Sequence, residues 1–277
     1  MTAGSDTAGR FEWPARALFG VLLAGSALGA IFAGGDVFAA LVAGLAFAAA
    51  REWHRLMGGR RYALPAIATC VAIGAAISWA VLIPGSLWPV WTLAIGSVAA
   101  AFLARVSGVS FLWNGLGTLY LGLPALSLVA LRLQALHGIA AVLIVFLTVW
   151  IADTGALAGG RFIGGPKLVP RLSPNKTWAG FLVGTTLSVL VVSLCLVLRG
   201  GRPWQAVLLV LALSVAGHGG DLFESWAKRR MGRKDSGGLI PGHGGVLDRL
   251  DSTLFAAPLA ALLVFVFGLD PLCGGHP

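Results

Sequence analysis

Acidic side chains are scarce in this chain, and nearly half of them fall in one stretch. Of 11 Asp and Glu residues, five lie between Gly217 and Asp251: Asp221, Glu224, Asp235, Asp248 and Asp251. Six basic residues, His243 and a glycine-rich segment accompany them. Asp221, Glu224 or Ser225, and Lys228 stand three and four residues apart, a spacing that lines side chains along one helix face. Ionisable groups at the end of an apolar helix either serve a site or snorkel out to solvent. Taken alone, this helix end fits both readings. Lys234 and Asp235 then lead into segment 237–245, where five of nine residues are glycine. Such a loop exposes backbone N–H groups and lets a phosphate approach the main chain, although turns are glycine-rich for other reasons too. Asp248 and Asp251, with Arg249 between them, offer hard carboxylate oxygens suited to Mg2+ beside substrate phosphates. Asp251 alone would also suit a helix start, where the macrodipole favours negative charge.

A second polar segment has the same inventory. Asp153 ends an otherwise uncharged apolar run and is expensive there without a metal or a lysine beside it. Gly159, Gly160, Arg161, Gly164, Gly165 and Lys167 follow, then Ser173, Pro174, Lys176 and Thr177. Lys167 and Lys176 suit a nucleoside triphosphate or a lipid phosphate, or else a loop whose charge only sets orientation. Carboxylates, cations and a glycine loop together are what phosphoryl or nucleotidyl transfer requires: charge neutralisation on phosphate oxygens and a frame for in-line attack. His243 suits a base, a phosphate donor or a loop-fixing residue. The donor role is favoured, because a phosphate nucleophile needs no strong base.

The elements that must position these groups are membrane helices. The chain is 57% hydrophobic and only 11% charged, where soluble domains carry about 25% charge. Mean hydropathy is +0.87. The reading is an all-α, polytopic integral membrane protein with about nine spans, near 17–33, 37–56, 63–83, 88–105, 111–131, 138–158, 178–198, 204–227 and 253–269. With the N-terminus cytoplasmic, 17 Lys and Arg fall inside and three, Arg132, Arg199 and Arg202, outside. That split follows the positive-inside rule. The net charge of +9 is therefore assigned to loops facing anionic lipid, and nucleic acid is set aside as a partner. Cys70, Cys195 and Cys273 have no disulfide or metal-ligand spacing. The first apolar run is read as a retained helix rather than a signal peptide. Gly25/Gly29, Gly155/Gly159 and Gly180/Gly184 are candidate close-packing pairs. Residues 1–135 are expected to be scaffold helices. Residues 136–277 are expected to be the catalytic region of the same membrane domain, with polar loops at 159–177 and 228–252. A transporter with charges at the bilayer midplane and inverted repeats is a rival, but these charges gather at one face and no repeat is visible.

The pattern Ser225, Lys228, Arg229, Lys234, Asp235, Gly237, Ile240, Pro241, His243, Gly244, Gly245, Asp248, Arg249 and Asp251, spanning 27 residues, resembles the signature of the phosphatidate cytidylyltransferase (CDP-diacylglycerol synthase) family. Asp153 to Ala156, Gly160-Arg161 and Ser173-Pro174 with Lys176-Thr177 are similar to a second region of that family. The N-terminal half resembles it by architecture alone. The resemblance implies transfer of the cytidylyl group of CTP to phosphatidic acid, giving CDP-diacylglycerol and pyrophosphate in phospholipid biosynthesis. It implies Mg2+, with a second, monovalent cation such as K+ associated with the site. The implied catalytic set is Asp221, Asp248, Asp251, Lys228, Lys234 and His243, with the metal on Asp221, Asp248 and Asp251. Substrate binding would involve Asp153, Arg161, Lys167, Ser173, Lys176, Glu224, Ser225, Arg229, Asp235, Gly244, Gly245 and Arg249. The implied setting is the inner (cytoplasmic) membrane, multi-pass, with the site on the cytoplasmic side. Phosphatidate would arrive from the bilayer among other membrane lipids, and a homodimer is compatible with this reading. A CTP-dependent lipid kinase, or a cytidylyltransferase for another lipid phosphate, is the alternative. Two positions depart from the pattern: Ala179 stands where many members carry glutamate, and Ala227 where a bulky apolar residue is usual.

Overall fold

The computed structural model describes residues 22, 24–233, 235–237, 244–269 and 272. The chain is an all-α polytopic membrane protein. Its helices are α1 (Ala24–Ala33), α2 (Gly35–Gly58), α3 (Ala63–Leu82), α4 (Trp88–Val106), α5 (Phe111–Gln134), α6 (Gly138–Phe162), α7 (Trp178–Leu198), α8 (Pro203–Arg230) and α9 (Leu247–Phe265). Six of them, α3 to α8, are long and apolar enough to cross a membrane. Their outward faces bear Leu82, Ile95, Val98, Leu157 and Leu190, all well exposed. In a bilayer these side chains meet lipid, and helices satisfy their own backbone there.

Two segments differ from the sequence reading. Residues 167–177, expected as an irregular loop, form an antiparallel ribbon of β1 (Lys167–Val169) and β2 (Ser173–Thr177), in register at Lys167↔Thr177 and Val169↔Ser173. Gly164 and Gly165, at φ 69 and 91, make the turn into it that a side chain would strain. Trp178 N–H bonds Pro166 O at 3.0 Å, and Thr177 Oγ1 accepts the Gly180 N–H at 3.1 Å, so the ribbon ends in a capped α7. Helix α9 also begins at Leu247, six residues before the expected span, which takes Asp248 and Asp251 into its first turns.

The expected glycine pairs behave differently. At the α6–α7 crossing, a Cβ on Gly155 would lie 2.9 Å from Gly184 Cα, and one on Gly180 would lie 2.6 Å from Ala156 O. One on Gly159 would meet Val183 at 2.7 Å. These helices touch backbone to backbone, as small residues allow. Gly25 and Gly29 have nothing within 4 Å among the described residues.

The N-terminal helices enclose a polar string the sequence did not announce. Buried His54 on α2 pairs through Nδ1 with Asn114 Oδ1 (2.6 Å) and through Nε2 with Thr69 Oγ1 (2.8 Å). Thr69 in turn contacts Thr118 Oγ1 at 2.6 Å. Buried polar groups are tolerated when paired in this way. Aromatic rings join this half to α8 and α9. Tyr120 lies 4.8 Å from Trp53 and 5.1 Å from Phe223, and Phe223 lies 5.5 Å from Phe255. Arg230 stands 5.7 Å from the rings of both Trp113 and Trp226.

Candidate active site

The C-terminal ends of α6 and α8, the N-terminal end of α9 and the ribbon meet at one end of the bundle, and they carry the polar residues. Helix α8 presents Asp221, Glu224 and Lys228 at the predicted spacing, but their partners come from other elements. Lys176 of β2 forms an ion pair with Asp221. Lys228 Nζ donates to Asp248 Oδ1 at 2.6 Å and lies 3.4 Å from Glu224 Oε1. Asp153 of α6 interacts electrostatically with Asp221 and Lys176. Asp251 interacts with Asp221 and Asp153, and also with Glu224. Two lysine-centred groups result, Lys176 with Asp221 and Asp153, and Lys228 with Asp248 and Glu224, with Asp251 close to both.

Close packing brings them together. A Cβ on Gly220 would run into Asp251 O, so α8 and α9 approach to backbone contact one residue from Asp221. Asp248 is the best-held carboxylate. Its Oδ2 accepts the Gly245 N–H at 2.9 Å and the Ser236 N–H at 3.3 Å. Burial alone would raise its pKa, but the hydrogen bonds from Lys228 and Gly245 outweigh that and hold it below the ordinary carboxylate value. Asp248 therefore stays ionised. A cavity of about 240 Å3 opens beside Asp153, Lys176, Asn175, His218 and Asp221.

Most of the expected residues have a definite place. Arg161, Lys167, Arg229, Asp235 and Arg249 are exposed around this end, and Ser173 and Ser225 are half-buried. Among the described residues, the side chains of Arg161, Lys167 and Asp235 make no ion pair with the cluster. Gly244 has φ 82, and a Cβ there would meet Asp248 Oδ2 at 3.1 Å. Lys234 and His243 lie outside the described residues. Two further residues belong here. His218 is 8% exposed, packs 5.0 Å from the Phe181 ring and lines the cavity. Glu52 of α2 is 2% exposed and accepts the Leu247 N–H at 2.9 Å. An acid and a histidine inside apolar helices were the sequence signals for both.

Carboxylate oxygens crowded around two lysines are a donor set that fits Mg2+, which takes one or two carboxylates and leaves places for substrate phosphates. Among the described residues, no three Asp, Glu, His or Cys side chains form a ready-made metal cage. The charges gather at one end of the helices rather than along a path through their middle, as a transporter would require.

Comparison with known proteins agrees with this chemistry. Residues 14–267 match the cytidylyltransferase family. Phosphatidate cytidylyltransferase of Brucella suis biovar 1 (strain 1330) is 46% identical over 158 residues, which is 56% of this chain and 58% of that protein. The enzyme of the same name from Staphylococcus haemolyticus (strain JCSC1435) is 45% identical over 147 residues, 52% of this chain and 55% of its own. The aligned stretch thus spans a little over half the length of these relatives.

Proposed function

Because this chain belongs to the cytidylyltransferase family, matched over residues 14–267, we propose that it transfers the cytidylyl group of CTP to phosphatidic acid, forming CDP-diacylglycerol and pyrophosphate. The observation that carries this reading is the meeting of Asp153, Asp221, Asp248 and Asp251 with Lys176 and Lys228 at one end of α6, α8 and α9. A phosphate oxygen of phosphatidate attacks the α-phosphorus of CTP. The new P–O bond forms as the bond from that phosphorus to the bridging β-phosphate oxygen breaks, and pyrophosphate leaves. A phosphate monoester is largely a dianion at neutral pH, with a second pKa of about 6, so the attack needs no general base.

Lys176 and Lys228 are fixed by carboxylates and present ammonium donors to the phosphate oxygens, where charge builds up in the transition state. Asp248, held by two backbone N–H groups, fixes Lys228, and Asp221 fixes Lys176. Asp221, Asp248 and Asp251 are the candidate ligands of Mg2+, one or two of them beside the substrate phosphates, and the ion, when bound, would neutralise triphosphate charge and ease departure of pyrophosphate. A monovalent cation such as K+ is a second candidate for this carboxylate cluster. Apolar helix faces around the site suit a lipid substrate drawn from the bilayer. Placement in the cytoplasmic membrane, with the site facing the cytosol, is supported by the 17-to-3 distribution of Lys and Arg.

The test is a purified enzyme given labelled CTP, Mg2+ and phosphatidate as sole acceptor. CDP-lipid with pyrophosphate is expected, and chelation of Mg2+ should abolish both. Release of CDP would instead identify a lipid kinase, and no lipid product at all would end the proposal.

A further inference from the structure

We infer that Glu52, on helix α2, is a positioning residue that ties together the two described ends of the glycine-rich loop, Ser236-Gly237 and Gly245 to Leu247, and thereby sets Asp248 in the site. Its carboxylate is 2% exposed and lies 195 residues before its main partner. Oε2 accepts the N–H of Leu247, the first residue of α9, at 2.9 Å, and the Ser236 hydroxyl at 3.4 Å. Val246, at the N-cap of α9, supplies no side-chain cap. A buried anion from another helix therefore satisfies that terminus and complements its dipole.

Two signature glycines are explained by the same carboxylate. Within the described part of the loop only Gly244 has positive φ, so Gly237 and Gly245 are not demanded by backbone conformation. Space demands them instead. A Cβ on Gly237 would lie 2.6 Å from Glu52 Oε1, and one on Gly245 would run into Ser236 Oγ and lie 2.5 Å from Glu52 Oε2, closer than side-chain atoms approach. The residues pressed against Glu52 are also those that hold Asp248, through the N–H groups of Ser236 and Gly245. Glu52 thus acts on the site through the loop, with no hydrogen bond or ion pair to either lysine or to the site aspartates among the described residues. The chain of contacts runs from Glu52 to the loop backbone, to Asp248 and to Lys228.

The effect on turnover rests on the cytidylyl-transfer reading, whereas the effect on the loop does not, so the experiment reads both. The full chain in detergent is digested with trypsin, following cleavage after exposed Arg233 beside the loop. Glu52→Ala is expected to speed that cleavage about tenfold by releasing the Ser236-Gly237 segment next to it. Glu52→Gln, which keeps an acceptor oxygen and the shape, should restore most of the protection. Gly237→Ala alone should also speed cleavage, yet add nothing to Glu52→Ala, because its methyl group no longer meets a carboxylate. In the CTP assay Glu52→Ala should lower kcat 10- to 100-fold, as loss of an outer supporting group does. Unchanged cleavage in Glu52→Ala, or multiplicative effects in the double variant, would overturn the latch while leaving the proposed reaction standing. Absence of CDP-lipid from the unaltered enzyme would sink the reaction while leaving the latch intact. Should Glu52→Ala fail to fold, Gly237→Ala in the otherwise unaltered chain carries the test. Faster cleavage would then support the latch, and unchanged cleavage would overturn it.

Discussion

Replacing Asp248 by asparagine keeps the shape of the side chain and removes its charge, and the surrounding donors dictate the outcome. One oxygen of Asp248 accepts from Lys228 at 2.6 Å, and the other accepts from Gly245 N–H at 2.9 Å and Ser236 N–H at 3.3 Å. An amide has a single acceptor oxygen. If that oxygen stays with the backbone donors, the NH2 group faces the Lys228 ammonium. If it turns to Lys228, the NH2 group faces two N–H donors. Either orientation sets donor against donor, and a lysine whose side chain is only 14% exposed keeps the Glu224 carboxyl group at 3.4 Å as its remaining partner. Loss of a hydrogen bond between charged groups costs about 1.5–3 kcal/mol. Loss of one electrostatic group aimed at the transition state costs about 3–4 kcal/mol, two to three powers of ten in rate. The prediction is a fall in kcat of about 10²- to 10³-fold in Asp248→Asn. It is measured as CDP-lipid formed from labelled CTP, with folding checked by thermal melting in detergent. A kcat within about threefold of the unaltered enzyme, with the protein folded, would refute the role given to Asp248.

Lys176→Met removes the partner of Asp221 and a phosphate donor, so kcat/KM for CTP should drop about 10²-fold in steady-state assays. Gly184→Ala places a methyl group against Ala152 O and Ala156 at the α6–α7 crossing, where overpacking costs about 1–3 kcal/mol. Its melting temperature should fall by several degrees, whereas Gly25→Ala, with nothing within 4 Å among the described residues, should not lower it. Because the Asp248 carboxyl titrates below its ordinary range, the stability it contributes is present above the ordinary carboxylate pKa and is lost as pH falls through the depressed value. The difference in melting temperature between the enzyme and Asp248→Asn should therefore be full at neutral pH and shrink only in acid.

Spacing in the sequence told which residues share a helix face but not which helices meet. Asp221, Glu224 and Lys228 were legible as one stripe on α8, yet only the fold shows that Lys228 turns to Asp248 while Asp221 takes Lys176. The Gly155/Gly159 and Gly180/Gly184 pairs were legible as close-packing positions, but not that they pack on each other. The ribbon at 167–177 was missed because its strands are three and five residues long, with Pro170 directly after the first and Pro174 inside the second, too short for an alternating pattern to show. The early start of α9 was missed because Asp248, Arg249 and Asp251 interrupt the apolar run, so hydropathy begins later than hydrogen bonding. Glu52 was passed over because its partners lie 184 and 195 residues further on. No local rule connects an acid in an alanine-rich helix with glycines in a distant loop.

The bare crossing of α6 and α7 has a mechanical side. With Gly155 and Gly180 set against the backbone of Gly184 and Ala156, a slide of one helix along the other meets main chain at once. The depth of Asp153 relative to Lys176 is thus set like a fixed jaw. The Tyr120, Phe223 and Phe255 rings that join α5, α8 and α9 make a joint of the opposite kind, built of side chains that can rotate.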